Sequence, residues 1–386
     1  MTGPFFSRKT STSVHTMDDL FSQRSRALAL DQCALSGVSL YGQLVIGIAF
    51  YLYAHVSTPG YLSILLTLPY LLLMSLGGWW LARHTPPDQN AIQWAIGKKA
   101  EKPIAICFSL IFLLDAQLAF YALTAMMQHV LPDMSTFFIA LAVALTTAFT
   151  ISGGDEYALH RLTRFLRWVF LLVFLYCAIT SLPYGNMGHL HPALGHGAAS
   201  IFRGTLWMCG CLGGAACPLI LPQQAATHSA LCEKKGAFLR PQLFALLAAA
   251  LTALLSACLL PVYALARPET LGWRMLLITH VNPSQMAWSL FLCAQMLLML
   301  LSLSAGVTRS AALIARCMPH GASKPFLIAL LFFFLLPLSA LDLDPIEALL
   351  RKIAPMRGAL AFLLMGLLLS GGIIRRTKGR RKEEKA

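Results

Sequence analysis

The feature that most constrains this chain is its series of long stretches without charge, each close to the length a helix needs to cross a bilayer. A hydrocarbon core takes roughly 20 apolar residues in helical form. Ten runs reach or approach that length, at about 32–54, 59–82, 103–127, 135–152, 163–183, 199–221, 241–266, 284–307, 325–341 and 356–374. Inside lipid only helices and closed barrels satisfy every backbone polar group, and these runs are continuously apolar rather than alternating as barrel strands are. Charged residues make up 12% of the chain, half of the roughly 25% usual in soluble domains. The expected fold is therefore all-α and integral to the membrane, with ten transmembrane helices, spans 1 to 10.

The formal net charge of +14 does not point to nucleic acid, because the basic residues lie between the apolar runs and in the tail, where topology explains them. Lys and Arg collect on the cytoplasmic side of membrane proteins. With the N-terminus inside and the spans alternating, 24 of the 30 fall on that side. Six are left outside: Arg203, Arg267, Arg274, Arg351, Lys352 and Arg357. A single miscounted helix would invert every later loop, so the imbalance supports ten spans with both termini cytoplasmic. The first thirty residues are polar and basic and lack the compact apolar core of a signal peptide. The segment 342–353 is expected as a separate surface amphipathic helix, with Asp344 ahead of Pro345 at its start. The organisation expected is a polar cytoplasmic segment 1–30, five-helix repeats at 31–183 and 184–374, and a basic cytoplasmic tail 375–386.

Ten spans divide into five and five. In transporters built from inverted repeats, ligands bind where the corresponding helices of the two halves break, so spans 1 and 6 are the pair to inspect. Span 1 contains Ser36-Gly37-Val38-Ser39-Leu40-Tyr41-Gly42-Gln43, and span 6 contains Cys209-Gly210-Cys211-Leu212-Gly213-Gly214-Ala215-Ala216-Cys217-Pro218. Small residues also let membrane helices pack closely, but their paired location favours interruption. The candidate ligand-binding residues here are Ser39, Tyr41, Gly42 and Gln43, with Cys209, Gly210, Cys211, Gly213 and Gly214. Gly210→Leu or Gly213→Leu is expected to abolish ligand response without preventing insertion.

Asp115 lies in the middle of span 3, with Tyr121 a little further along. A carboxylate at that depth is expensive unless paired or wetted. Two readings stand: a proton- or ion-coupling site, or a neutral Asp hydrogen-bonded to a neighbouring helix. Ser302 and Ser304 of span 8, with Gln295, are weaker ligand candidates because helical serines commonly bond their own backbone. His189, His191 and His196 share a loop without a carboxylate or cysteine partner, and the cysteines show no ligand spacing, so no metal is expected. No phosphate-cradling glycine loop, HExxH or nucleophile elbow occurs on a cytoplasmic segment. Neither a cofactor nor an enzymatic activity is expected.

Several strings carry a family resemblance. They are Gln32; Pro59-Gly60-Tyr61-Leu62; Gly153-Gly154-Asp155-Glu156 with His160-Arg161-Leu162; Gly195-His196-Gly197 with Phe202-Arg203-Gly204-Thr205-Leu206; Leu221-Pro222; and the basic tail. Together, over about 28–376, they resemble the spore germination permeases, the B-type subunits of nutrient germinant receptors and relatives of the amino acid–polyamine–organocation transporters. That family commonly has Gly-x-Gly midway through helix 1, where this chain has Gly42-Gln43-Leu44. It also often carries a glutamate in helix 6, where this chain has Gly213-Gly214-Ala215-Ala216. The resemblance implies a LeuT-like fold of five plus five inverted helices with helices 1 and 6 broken. It implies a small-molecule ligand, an amino acid or other nutrient, held between the breaks and closed in by spans 3 and 8. Its implied partners are an A-type membrane subunit and a C-type lipoprotein subunit in the spore inner membrane, with lipid around them. On that reading the chain is a sensor; the alternative on the same fold is a proton-coupled amino acid transporter, which Asp115 favours.

Overall fold

A computed structural model describes residues 33–52, 56, 60–86, 89–152, 156–190, 196–216, 235–260, 271–279, 283–317 and 343–383. Among them seven helices are long and apolar enough to cross a membrane: Cys33–Leu52, Gly60–His84, Lys98–Val130, Arg161–Tyr184, Leu239–Leu259, Gln285–Ile314 and Pro355–Thr377. These are spans 1, 2, 3, 5, 7, 8 and 10. Span 4 is the helix Thr136–Ser152, and span 6 contributes the 15-residue helix Ala198–Leu212. The residues expected to form span 9 lie outside the described residues, as do the segment 1–30 and the strings at Gln32 and Leu221-Pro222. Among the described residues there is no strand.

Span 1 is the axis of the bundle. Every residue from Cys33 to Phe50 is buried, as expected for a helix that is apolar all round and enclosed by others. Its irregularity takes the form of a π turn at Ile48–Leu52, past Gly42, which itself lies in regular helix. Spans 5 and 10 lie at the periphery, with Phe165, Leu172, Ile179 and Leu363 each about two-thirds exposed. In a membrane, lipid covers such side chains.

Spans 3 and 8 run antiparallel and in close contact. Ser109 Oγ and Ser310 Oγ are 2.7 Å apart, and Ser310 Oγ also donates to the Ser109 carbonyl at 3.0 Å. Further along, a Cβ on Gly306 would lie 2.9 Å from Ala116 Cβ and 3.0 Å from the Phe112 carbonyl oxygen. Without a hydrophobic drive between helices in lipid, small residues and cross-helix hydrogen bonds supply the association. Spans 6 and 10 cross closer still. A Cβ on Gly210 would stand 2.4 Å from Pro355 Cα, and one on Gly358 would stand 2.4 Å from Gly210 Cα.

Two expectations are corrected at span 10. The segment 342–353 is not a separate surface helix, because one helix runs from Leu343 to Glu383 with Pro355 inside it. A proline in a membrane helix is tolerated where neighbours compensate for the lost backbone bond, and here the bare backbone of Gly210 lies directly against it. The same helix carries the start of the basic tail, where Arg375 donates to the carbonyls of Trp94 and Gln93, in the short helix Ala91–Ile96. The second correction concerns charge. Arg274 and Arg357, counted above among the outer-loop cations, are buried in the bundle at 5% and 2% exposure, so neither reports on which side a loop lies.

Candidate functional site

Span 6 stops being α-helical at Leu212. Gly213 has φ 45° and ψ −135°, a left-handed conformation that glycine adopts without penalty and other residues resist. Gly213–Ala216 then form a single 3-10 turn. Space demands glycine as well, since a Cβ at Gly213 would stand 2.5 Å from Asp115 Oδ1. The interruption read from the glycine cluster therefore falls at Gly213, where span 6 meets the middle of span 3.

Asp115 is near the midpoint of the 33-residue helix Lys98–Val130 and only 2% exposed. Its Oδ1 accepts from Arg357 Nη1 at 2.5 Å. Arg357 Nη2 donates to Gln43 Oε1 at 2.8 Å and to the Cys211 carbonyl at 2.7 Å. Gln43 Nε2 closes the ring by donating to the Asp115 backbone carbonyl at 2.8 Å. Four elements, spans 1, 3, 6 and 10, are thus tied through one guanidinium.

The broken helix makes sense of both charges. The last turn of a helix has carbonyls without intrahelical partners and carries partial negative charge; Cys211 belongs to that turn, and Arg357 binds its oxygen. Beyond the break, the Gly214 and Ala215 backbone N–H groups face the Asp115 carboxylate. Cation and anion therefore each meet the backbone polarity that suits them. Asp115 Oδ2, by contrast, is buried and has no hydrogen-bond partner among the described residues. Arg309, on span 8 and 6% exposed, adds a second positive charge near this carboxylate and lies over the Phe112 ring at 5.8 Å.

The other candidate residues separate by helical face. Ser39 offers its carbonyl to Ser302 Oγ at 3.4 Å, and Gly42 faces the same serine, its Cβ position 3.0 Å from Ser302 Cβ. Ser36 Oγ reaches the Ala215 carbonyl at 3.4 Å, joining span 1 to the broken turn. Tyr41 points elsewhere, with its hydroxyl 3.3 Å from Thr252 Oγ1 and its ring 4.9 Å from that of Phe170. Tyr121 stacks on Phe50 at 6.4 Å rather than joining Asp115. Ser304 bonds its own helix at the Leu300 carbonyl, 2.9 Å. Gly210 packs on span 10 as described, and the Cys209 carbonyl lies 2.7 Å from the Cβ position of Gly358. Gln295 is buried, and its amide N and O have no hydrogen-bond partner among the described residues.

Arg357 is the residue that sequence reasoning missed. It stands at the head of the last apolar run, where it reads as a loop cation. The available signal was Asp115 itself, since a carboxylate inside a membrane bundle calls for a buried partner. Arg357, between Pro355 and Gly358 at the start of an apolar run, was one base within reach of such a reading.

The family model described as Spore germination protein matches residues 40–259, more than half of the chain. No curated protein sequence matches. Among solved structures, MhsT in complex with L-phenylalanine is similar at TM-score 0.51 and 14% identity, over 86% of this chain and 91% of that one. A manganese transporter of Eremococcus coleocola, in complex with an aromatic bis-isothiourea substituted compound, is similar at TM-score 0.47 and 14% identity, over 96% of this chain and 78% of that one. At such identities the likeness to MhsT shows the fold alone, the LeuT-like arrangement of membrane transporters. The matched sequence and the all-helical membrane bundle agree: this chain belongs to the spore germination protein family of membrane permeases.

Proposed function

We propose that the chain is the membrane subunit of a spore nutrient-germinant receptor, one that binds an amino acid within the bundle and signals by changing conformation. The observation that carries this reading is the Asp115–Arg357 pair closed across the break in span 6. Removing two charges from water is repaid only with good geometry and further hydrogen bonds, and ionisable groups at such depth are kept mainly for function. This pair holds four helices in one arrangement, so a ligand entering among them has a mechanical effect to exert. A ligand shifts a conformational equilibrium by its differential affinity for the two states; the state with the pair closed and one with it opened are the natural alternatives. An amino acid ligand is in keeping with the L-phenylalanine bound by MhsT. The partners that read the change are an A-type membrane subunit and a C-type lipoprotein, in the spore inner membrane, with both termini of this chain cytoplasmic.

A second reading on the same fold is a proton-coupled amino acid transporter with Asp115 as the proton carrier. Asp115 Oδ2, which has no hydrogen-bond partner among the described residues, favours it, since that oxygen is where a proton would sit.

The test is Gly213→Ala in spores whose only copy of this gene is the altered one. The added methyl enters a left-handed residue and the space of Asp115 Oδ1, so the pair has to shift. We expect the protein at wild-type level in the inner membrane and germination on an amino acid mixture, followed by loss of refractility, reduced at least tenfold. Normal germination of this variant would remove the site from the mechanism. Robust uptake of labelled amino acid by proteoliposomes holding the chain alone would decide for the transporter.

A further inference from the structure

The geometry points to a site for an anionic phospholipid between spans 1, 5, 7 and 8. One acyl chain lies in an apolar groove there, and Arg167 holds the phosphate. The site is separate from the break in span 6 and stands whether or not a solute binds at that break.

The groove is partly open and takes small residues from two helices, Ala34 and Gly37 from span 1 and Ala245 and Ala248 from span 7. Small residues let membrane helices approach closely, and at Gly37 the two helices touch. A Cβ there would lie 2.7 Å from the Pro241 carbonyl oxygen. Tyr41 and Phe170 also line the groove, their rings 4.9 Å apart. The Tyr41 hydroxyl is taken up by Thr252, so Tyr41 offers the groove its ring. Ala34 to Tyr41 covers about 10 Å of helix, two-thirds of the roughly 15 Å depth of one leaflet's hydrocarbon. The lining is apolar almost throughout. Water or a polar solute would find too few partners in it, whereas an acyl chain needs none.

Arg167 is the one charged residue of this lining. It is half-buried, one turn before Phe170, with its guanidinium 5.3 Å from the centre of the Trp168 ring. Trp168 is 55% exposed, and tryptophan on a membrane helix marks the level of the head groups. Arg161 and Arg164 on span 5 and Arg240 at the head of span 7 are all exposed. No Asp or Glu occurs in 157–183 or 234–268. A basic pocket between membrane helices suits a lipid phosphate, and the arginine fork meets phosphate oxygens in pairs. A choline head group brings its own cation to this cluster and is disfavoured.

The groove also backs onto the broken turn. Ser36 and Gln242, next to Gly37 and Pro241, are joined by a 3.2 Å bond from Gln242 Nε2 to Ser36 Oγ. Ser36 Oγ in turn reaches the Ala215 carbonyl at 3.4 Å. A chain in the groove thus bears on the two helices whose adjacent residues hold that turn.

The experiment uses the full-length chain, first in detergent with thermal unfolding as the readout. The probes are dioleoyl phosphatidylglycerol, dioleoyl phosphatidylcholine and glycerol phosphate. Phosphatidylglycerol should raise the unfolding temperature, phosphatidylcholine should raise it much less, and glycerol phosphate should have no effect. Arg167→Gln should raise the half-saturating phosphatidylglycerol about fivefold, the weight of one arginine near an anionic surface. Arg203→Gln, at an exposed cation on span 6, should leave it unchanged. In a second measurement the chain is reconstituted with phosphatidylglycerol carrying a diazirine in one acyl chain. Irradiation should label 34–41 and 241–248 more heavily than the outward faces of spans 5 and 10. Ala248→Leu, which puts a larger side chain in the groove, should remove that labelling; if it fails to fold, the wild-type map decides alone. Labelling confined to the outward faces would mean ordinary surrounding lipid and overturn the site. So would equal shifts by the two phospholipids, a full shift by glycerol phosphate, or unchanged half-saturation in Arg167→Gln.

Discussion

Arg357→Ala should destabilise the protein by about 3–5 kcal/mol, the usual consequence of removing one partner from a buried ion pair. Three acceptors lose their donor together: Asp115 Oδ1, Gln43 Oε1 and the Cys211 carbonyl. The carboxylate then stays buried without its partner, and the end of the half-helix Ala198–Leu212 loses the cation that meets it. Thermal unfolding of the purified chain measures the loss, and the germination assay should show no response. The companion experiment separates stability from function. Replacing both members with apolar residues of similar size, Asp115→Leu with Arg357→Met, removes both charges at once, and such replacements are often neutral or stabilising. The double variant should regain most of the lost stability and still fail to respond. A coupling energy near zero between the two positions would mean that the pair is not closed in the membrane.

How far the sequence disclosed this site depends on what kind of signal each residue carries. Apolar run length is local and survives folding, which is why the spans seen coincide with runs read from composition. The break in span 6 was legible for a similar reason, since glycine tolerates a left-handed turn that other residues resist, and Gly213 is where the turn occurs. Asp115 was legible as a charge where none is cheap. Arg357 was not, because at the edge of an apolar run a buried cation and a loop cation look alike; only the packing of span 10 against Gly210 tells them apart. Two candidates fell to helical geometry. Ser36, Ser39 and Gln43, spaced i, i+3 and i+7, share a face, and that face meets the break and Ser302. Tyr41 is two residues from Gln43 and points to the opposite side, where Thr252 and Phe170 receive it. Tyr121, six residues beyond Asp115, is likewise off its face. Polarity and closeness in sequence nominated these tyrosines, and the 3.6-residue period moved them away.

The other large effect expected is at the crossing of spans 6 and 10. Gly210→Ala and Gly358→Ala should each destabilise by about 3 kcal/mol or more, at or beyond the upper end of the usual range for overpacking. The reason is what the added methyl meets. At Gly210 it is Pro355 Cα at 2.4 Å, and at Gly358 it is the Gly210 Cα and carbonyl oxygen, each at 2.4 Å. Backbone atoms cannot rotate aside as the end of a flexible side chain can, so the helices themselves have to separate. Gly358 is next to Arg357 and Gly210 is next to Cys211, so separation also stretches the 2.7 Å bond from the guanidinium to the Cys211 carbonyl. The packing defect and the loss of the site should therefore appear together, as a lowered unfolding temperature and a lost germination response. Gly366→Ala is the control, because nothing lies within 4 Å of its Cβ position and alanine is the better helix former; it should leave stability and response unchanged or slightly improve the first. If Gly210→Ala matched wild type in both measurements, the two backbones would not meet at this crossing, and Arg357 would need another route to the end of span 6.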